Sequence, residues 1–114
     1  MYQVFENGIS FLKKTSDVQN FINDILTATE KIMLSKRLAI AVLLARGYDY
    51  RQVSQTLKVS YGTINSVIKQ QFINGQGYKV VVEKILKDEK MEELFLELEK
   101  FVGDLISHPS RKIG

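Results

Sequence analysis

At 114 residues, with 45% hydrophobic and 25% charged side chains, the chain has the composition of one globular domain, not of a disordered segment. Its longest apolar run, Leu38–Ala45, is too short to span a bilayer, and the absence of cysteine excludes disulfides and thiolate metal sites and fits a reducing cytoplasm. The net charge of +3 is segregated, with net +7 over residues 31–79, where Asp49 is the one acid, and net −4 over residues 83–104; a basic middle of this kind is the footprint of a polyanion-binding surface.

Residues 1–15 lack the basic start and apolar stretch of a secretory signal and read as an N-terminal tail. Ser16 and Asp17 are suited to cap a short helix, DVQNFINDIL, in which Val18, Phe21, Ile22, Ile25 and Leu26 recur at helical spacing. Thr27-Ala28-Thr29-Glu30 has the form of a capping box, with the Thr27 hydroxyl and the Glu30 carboxylate each accepting from the other's backbone N–H. The helix it opens, EKIMLSKRLAIAVLLARG, is expected to end at Gly47 in a left-handed C-cap. Its second half, Leu38 to Ala45, is apolar on every face. A helix of that kind is buried all round, and a partner chain is the expected supplier of the walls this short chain lacks.

Two short helices are predicted next, Tyr50–Lys58 and Ser60–Phe72, followed by a loop, NGQG, and the segment YKVVVEKILK. The folded core is thus expected over residues 16–87 of a single domain. Beyond it, residues 88–107 predict an amphipathic helix, with Met91, Phe95, Leu98, Val102 and Leu105 on one stripe and Glu92, Glu93, Glu97, Glu99 and Lys100 off it. Residues 108–114 read as a tail.

The centre of the chain, YRQVSQTLKVSYGTINSVIKQ, carries the functional reading. Val53 and Leu57 lie on one face of the first short helix, Ile64, Val67 and Ile68 on one face of the second, and Val59 bridges them in the turn. Ser60 is placed to cap the second helix. This is the pattern of a helix-turn-helix. The turn position after Leu57 holds Lys58 where glycine is common, which costs energy if the backbone there needs a positive φ. Facing away from the packing side of the second helix are Tyr61, Gly62, Asn65, Ser66 and Lys69. Small and hydrogen-bonding residues near that N-terminus permit close approach to base edges, and asparagine pairs bidentately with adenine. Arg51 and Lys69 suit phosphate contacts, and Gln52 and Ser60 complete the candidate DNA surface.

These residues carry a family resemblance. The run from Ile25 to Gln70 resembles the tryptophan repressor superfamily, and more closely its tryptophan-repressor-like branch of small regulators. The shared elements are Leu26-Thr27 followed by Glu30, Arg37 within the long helix, Arg46-Gly47 closing it, Arg51, Leu57, and Val59 to Ile64; Gly77 to Leu86 is similar to the next segment in that branch. The resemblance implies an all-α, intertwined homodimer of the tryptophan-repressor type, here with an extra C-terminal acidic helix, whose recognition helices sit roughly 34 Å apart on a pseudo-palindromic site in double-stranded DNA. It implies that Arg51 contacts DNA, that Tyr61, Gly62 and Asn65 face base edges, and that Thr63 lies near phosphate. It also carries a ligand site onto Arg37 and Thr27, but with departures. Arg37 matches the first of two arginines that hold tryptophan, whereas Ser66 stands at the second and Val67 where a glycine leaves room for the indole. Both departures oppose tryptophan, so no cofactor is expected and any effector is another molecule.

An enzyme is not expected, because the one histidine, His108, lies in the tail and the acidic pairs read as solvated surface. No constellation suits a metal. The competing reading is a protein-interaction module, in which the acidic C-terminal helix captures a partner and the helix-turn-helix is only a packing core. RNA binding lacks paired exposed aromatics for base stacking. The expectation is therefore a cytoplasmic, DNA-binding transcriptional repressor acting as a homodimer.

Overall fold

Backbone hydrogen bonds among the described residues are local. In a computed structural model, which describes residues 1–94, 96 and 97, six helices succeed one another and no strand occurs among the described residues. They are α1 (Tyr2–Ser10), α2 (Thr15–Ile25), α3 (Ala28–Ala45), α4 (Tyr50–Leu57), α5 (Tyr61–Asn74) and α6 (Gln76–Lys87). Residues 89–94 are also helical. The all-α expectation holds.

The chain divides into two compact units, residues 1–34 and residues 35–114, where the sequence reads as one domain. The first unit contains no buried residue. Residues 1–15 are expected as a tail, yet α1 occupies most of them; Tyr2, Phe5 and Ile9 repeat at helical spacing, and the Phe5 ring lies 6.5 Å from that of Phe21 on α2. Helix α2 starts at Thr15, with Lys14 as its N-cap and no side-chain capping bond, so neither Ser16 nor Asp17 caps it. Asp17 instead sits in the first turn, where its charge complements the helix dipole. The capping box that opens α3 forms as its sequence predicts. Thr27 N–H donates to Glu30 Oε1 at 2.8 Å, and Glu30 N–H donates to Thr27 Oγ1 at 3.1 Å.

In the second unit the core gathers around the second half of α3. Ile40, Ala41, Val42 and Leu43 are buried together with Tyr48, Val53, Ile64, Val67 and Val82. The chain itself therefore walls in the middle of the Leu38–Ala45 run, although Ala45 is exposed and Leu38 and Leu44 are half-buried. The burial of Leu43 by its own chain is complete, so it is not by itself a sign of a partner. Helix α3 ends in a Schellman arrangement: Gly47 has φ 94°, its N–H bonds to Leu44 O at 3.0 Å, and Tyr48 N–H reaches Leu43 O at 3.1 Å. That reversal carries Tyr48 into the core and aims the chain at α4.

Helix α5 packs against both α4 and α6. The loop expected at NGQG contracts to Gly75, between the end of α5 and the start of α6. A Cβ at Gly75 would collide with the Gln71 carbonyl in the last turn of α5, so the C-cap that joins α5 to α6 requires glycine. Along α6, Tyr78, Val82, Ile85 and Leu86 form one stripe toward the core, while Val80 and Val81 are exposed. Met91 also packs against the core. Phe95, Leu98, Val102 and Leu105, the remainder of the expected apolar stripe, lie outside the described residues.

The N-terminus of α3 carries a pH dependence. Thr27, chiefly through its backbone N–H and secondarily through its side chain, holds the Glu30 carboxyl below its ordinary value. A carboxylate depressed on folding contributes stability that is present above its unfolded pKa and lost as pH falls through the folded one. Glu30→Gln keeps a hydrogen-bonding group but removes the charge. Wild type should therefore resist urea better than Glu30→Gln at neutral pH, and the two midpoints should converge as pH falls through the lowered folded-state pKa of Glu30.

Candidate nucleic-acid interface

The interface is assembled from three local devices that fix α4 and α5. The first is a capping box at the start of α4. Gln52 N–H donates to Asp49 Oδ1 at 2.8 Å, and Asp49 N–H donates to Gln52 Oε1 at 3.1 Å. The sequence signal for it, an acid with glutamine three residues later, has the same spacing as the Thr27 box. It also removes Gln52 from the candidate DNA surface. Gln52 is only 2% exposed, because its side chain serves the helix start, and the assignment of Gln52 to base or phosphate contact is corrected accordingly.

The second device is the turn. Lys58 adopts φ 57° and ψ 51°, the only positive-φ residue other than glycine among those described. The Lys58 and Val59 N–H groups both bond to the Ser54 carbonyl, and Ser54 Oγ donates to Val59 O at 2.7 Å. These bonds hold a left-handed lysine in place of the usual glycine and seat Val59 against the core. The third device is the cap of α5, where Thr63 N–H donates to Ser60 Oγ at 3.1 Å.

With the two helices fixed, Arg51, Ser60, Tyr61, Gly62, Asn65, Ser66 and Lys69 are exposed and Thr63 is half-buried. Their roles differ. Ser60 and Thr63 are engaged with each other, their hydroxyl oxygens 3.1 Å apart at the helix start. Ser66 Oγ donates to Gly62 O, one turn back in its own helix. The residues that project a group outward are Arg51, Tyr61, Asn65 and Lys69, with Gly62 leaving a gap between them. A Cβ on Gly62 would meet Ser60 Oγ at an ordinary 3.6 Å, so the fold does not demand glycine there. Tyr50, absent from the sequence-derived set, adjoins this group. Its hydroxyl donates to Asn65 Oδ1 at 2.8 Å, and its ring meets that of Tyr61 edge-on at 5.6 Å.

The basic residues separate in the same way. Arg51, Lys58 and Lys69 are exposed, whereas Arg46 pairs with Glu92 at 3.3 Å and its side chain is 10% exposed. Glu92 therefore holds the residues after α6 to the end of α3, where the sequence reads it as free surface charge. Of the two residues carried over as ligand contacts, Arg37 is exposed and the Thr27 hydroxyl is occupied by the capping bond. Val67 is 3% exposed and belongs to the core.

A helix-turn-helix with this order of elements matches the model of the Trp repressor protein family over residues 1–86. The chain belongs to that family. No curated protein and no solved structure matches it. Trp repressor family membership makes it a helix-turn-helix DNA-binding regulator, and the residues from 87 onward, Glu92 among them, lie outside the matched range. Among the described residues no helix is long and apolar enough to cross a membrane, and no three His, Cys, Asp or Glu side chains gather as a metal site.

The strained turn gives a direct test. Glycine at position 58 removes the left-handed penalty, at a smaller entropic cost in the unfolded chain. Lys58→Gly should leave stability unchanged or raise it by up to about 1 kcal/mol in urea denaturation. A loss above that size would mean the lysine side chain supports the turn.

Proposed function

We propose that this protein is a sequence-specific transcriptional repressor that binds a pseudo-palindromic DNA site as a homodimer, in the cytoplasm, without tryptophan. The observation that carries the reading is the exposed face of α5. It presents Tyr61, Gly62 and Asn65 toward a would-be major groove, with Arg51 and Lys69 at its margins. The net charge of residues 31–79 favours a polyanionic partner.

Dimerisation is supported by the first unit. Tyr2, Phe5, Phe11, Ile32, Met33 and Leu34 are each about half exposed or more, and nothing in residues 1–34 is buried. So many apolar side chains on helices without a core of their own favour burial against a second copy. Two-fold symmetry then pairs two α5 helices with two half-sites.

Binding measurements on a selected duplex test both elements. Wild type should bind with two chains per site. Asn65→Ala should cost about 1–3 kcal/mol on that site and flatten preference at one base pair of each half-site. Lys69→Ala should weaken binding to all duplexes alike and reduce the salt slope by about one. Unchanged binding in both variants would remove α5 as the reader.

Independence from tryptophan rests on Ser66 and Val67. The Ser66 hydroxyl is tied to its own helix, and Val67 fills space in the core, so neither offers a ligand a charged donor or an open floor. Calorimetric titration with tryptophan should give no saturable heat, and DNA affinity should be the same with and without it. Micromolar binding lost in Arg37→Ala would overturn this.

A further inference from the structure

Asparagine reads a base well only when its amide plane is held, because free rotation about the last side-chain bond spreads its donor and acceptor over many directions. Asn65 is exposed, and its restraint comes from the other helix. The Tyr50 hydroxyl, at the first position of α4, donates to Asn65 Oδ1 at 2.8 Å across the helix-turn-helix. The same ring stands edge-on to Tyr61, 5.6 Å between centroids at 70°, at the first position of α5. One half-buried side chain of α4 thus holds two exposed side chains of α5 that lie one helical turn apart.

We propose that Tyr50 is the positioning residue for base readout: its hydroxyl sets the amide plane of Asn65 and its ring sets Tyr61, so α4 determines the specificity of α5. The inference rests on the reading of α5 as the recognition helix and adds to it the residue that orients the reader. Chemically the arrangement is economical with lone pairs. A carboxamide oxygen has two, and Tyr50 uses one. The second remains for an amino donor such as adenine N6, while Nδ2 is left to donate to a purine N7. Fixing the plane removes rotational freedom before binding, so the gain appears in discrimination between base pairs and not in phosphate-driven affinity.

Substituting Tyr50 removes no lysine or arginine, so the non-specific, phosphate-driven component of binding should stay intact. Tyr50→Phe removes only the hydroxyl and keeps the ring against Tyr61. Tyr50→Leu removes both restraints.

The experiment measures full-chain binding to a selected duplex and to duplexes altered at each base pair, for wild type, Tyr50→Phe, Tyr50→Leu, Asn65→Ala and the Tyr50→Phe/Asn65→Ala double variant, with melting curves to verify folding. Tyr50→Phe should lower discrimination at the base pair read by Asn65 by roughly three- to tenfold, less than the loss in Asn65→Ala. It should leave affinity for non-specific duplex and the salt slope unchanged. In the Asn65→Ala background Tyr50→Phe should have no further effect at that pair, because it acts through Asn65. Tyr50→Leu should relax a second, neighbouring pair as well. Discrimination unchanged in Tyr50→Phe while Asn65→Ala relaxes it would overturn the positioning role and leave the recognition helix standing. An equal further loss in the double variant would show that Tyr50 acts independently of Asn65, which also overturns it. If Asn65→Ala itself changed nothing, the assignment of the reader would fall, and the positioning role with it.

Discussion

The burial of Ile40 to Leu43 is the constraint on which the second unit depends. A helix apolar on every face has no side it can give to water, so whatever surrounds it must supply apolar side chains all the way round. The chain meets this demand with Tyr48 from the reversal after α3, Val53 from α4, Ile64 and Val67 from α5, and Val82 from α6. Each of these helices is too short to be more than marginally stable alone. They are helical because their apolar faces close on α3, and the exposed faces left over are consequently fixed in position. The exposed face of α5 is the reverse side of that packing.

Short helices under such a constraint need their ends specified, and this chain uses a different device at nearly every junction. Reciprocal capping boxes open α3 and α4, a glycine in the left-handed region closes α3, and a serine cap opens α5. The turn between α4 and α5 is the least comfortable, with a left-handed lysine held by two N–H groups converging on the Ser54 carbonyl. The strain is tolerated because the turn must bring Val59 into the core while keeping the two helices close enough for Tyr50 to reach Asn65. The exposed face of the helix-turn-helix and the hydrophobic core are thus two consequences of one backbone path.

Charge obeys the same division of labour. The basic excess read from composition is not a uniform patch, because Arg46 is withdrawn into a pair with Glu92, leaving Arg51, Lys58 and Lys69 exposed around the helix-turn-helix. An ion pair half open to water contributes little stability. Its effect is local neutralisation at the end of α3, together with a tie to residues beyond the family match. The first unit presents the opposite situation, with many apolar side chains and no burial.

Local pattern determined a great deal here. The all-helical class, the Thr27–Glu30 box, the stop at Gly47, the Ser60 cap and the two faces of the helix-turn-helix all arise from interactions within four or five residues, which a sequence carries explicitly. The helix at Tyr2–Ser10 and the second capping box at Asp49 were equally local, and their spacing was there to be read. What the tertiary structure decided is what depends on residues distant in sequence. It buried Gln52 and Val67, left Asn65 and Tyr61 exposed, and paired Arg46 with Glu92. It also brought Tyr50 within hydrogen-bonding distance of Asn65, fifteen residues away. No periodicity encodes such a contact, because it depends on the crossing of two helices whose apolar faces meet in one core.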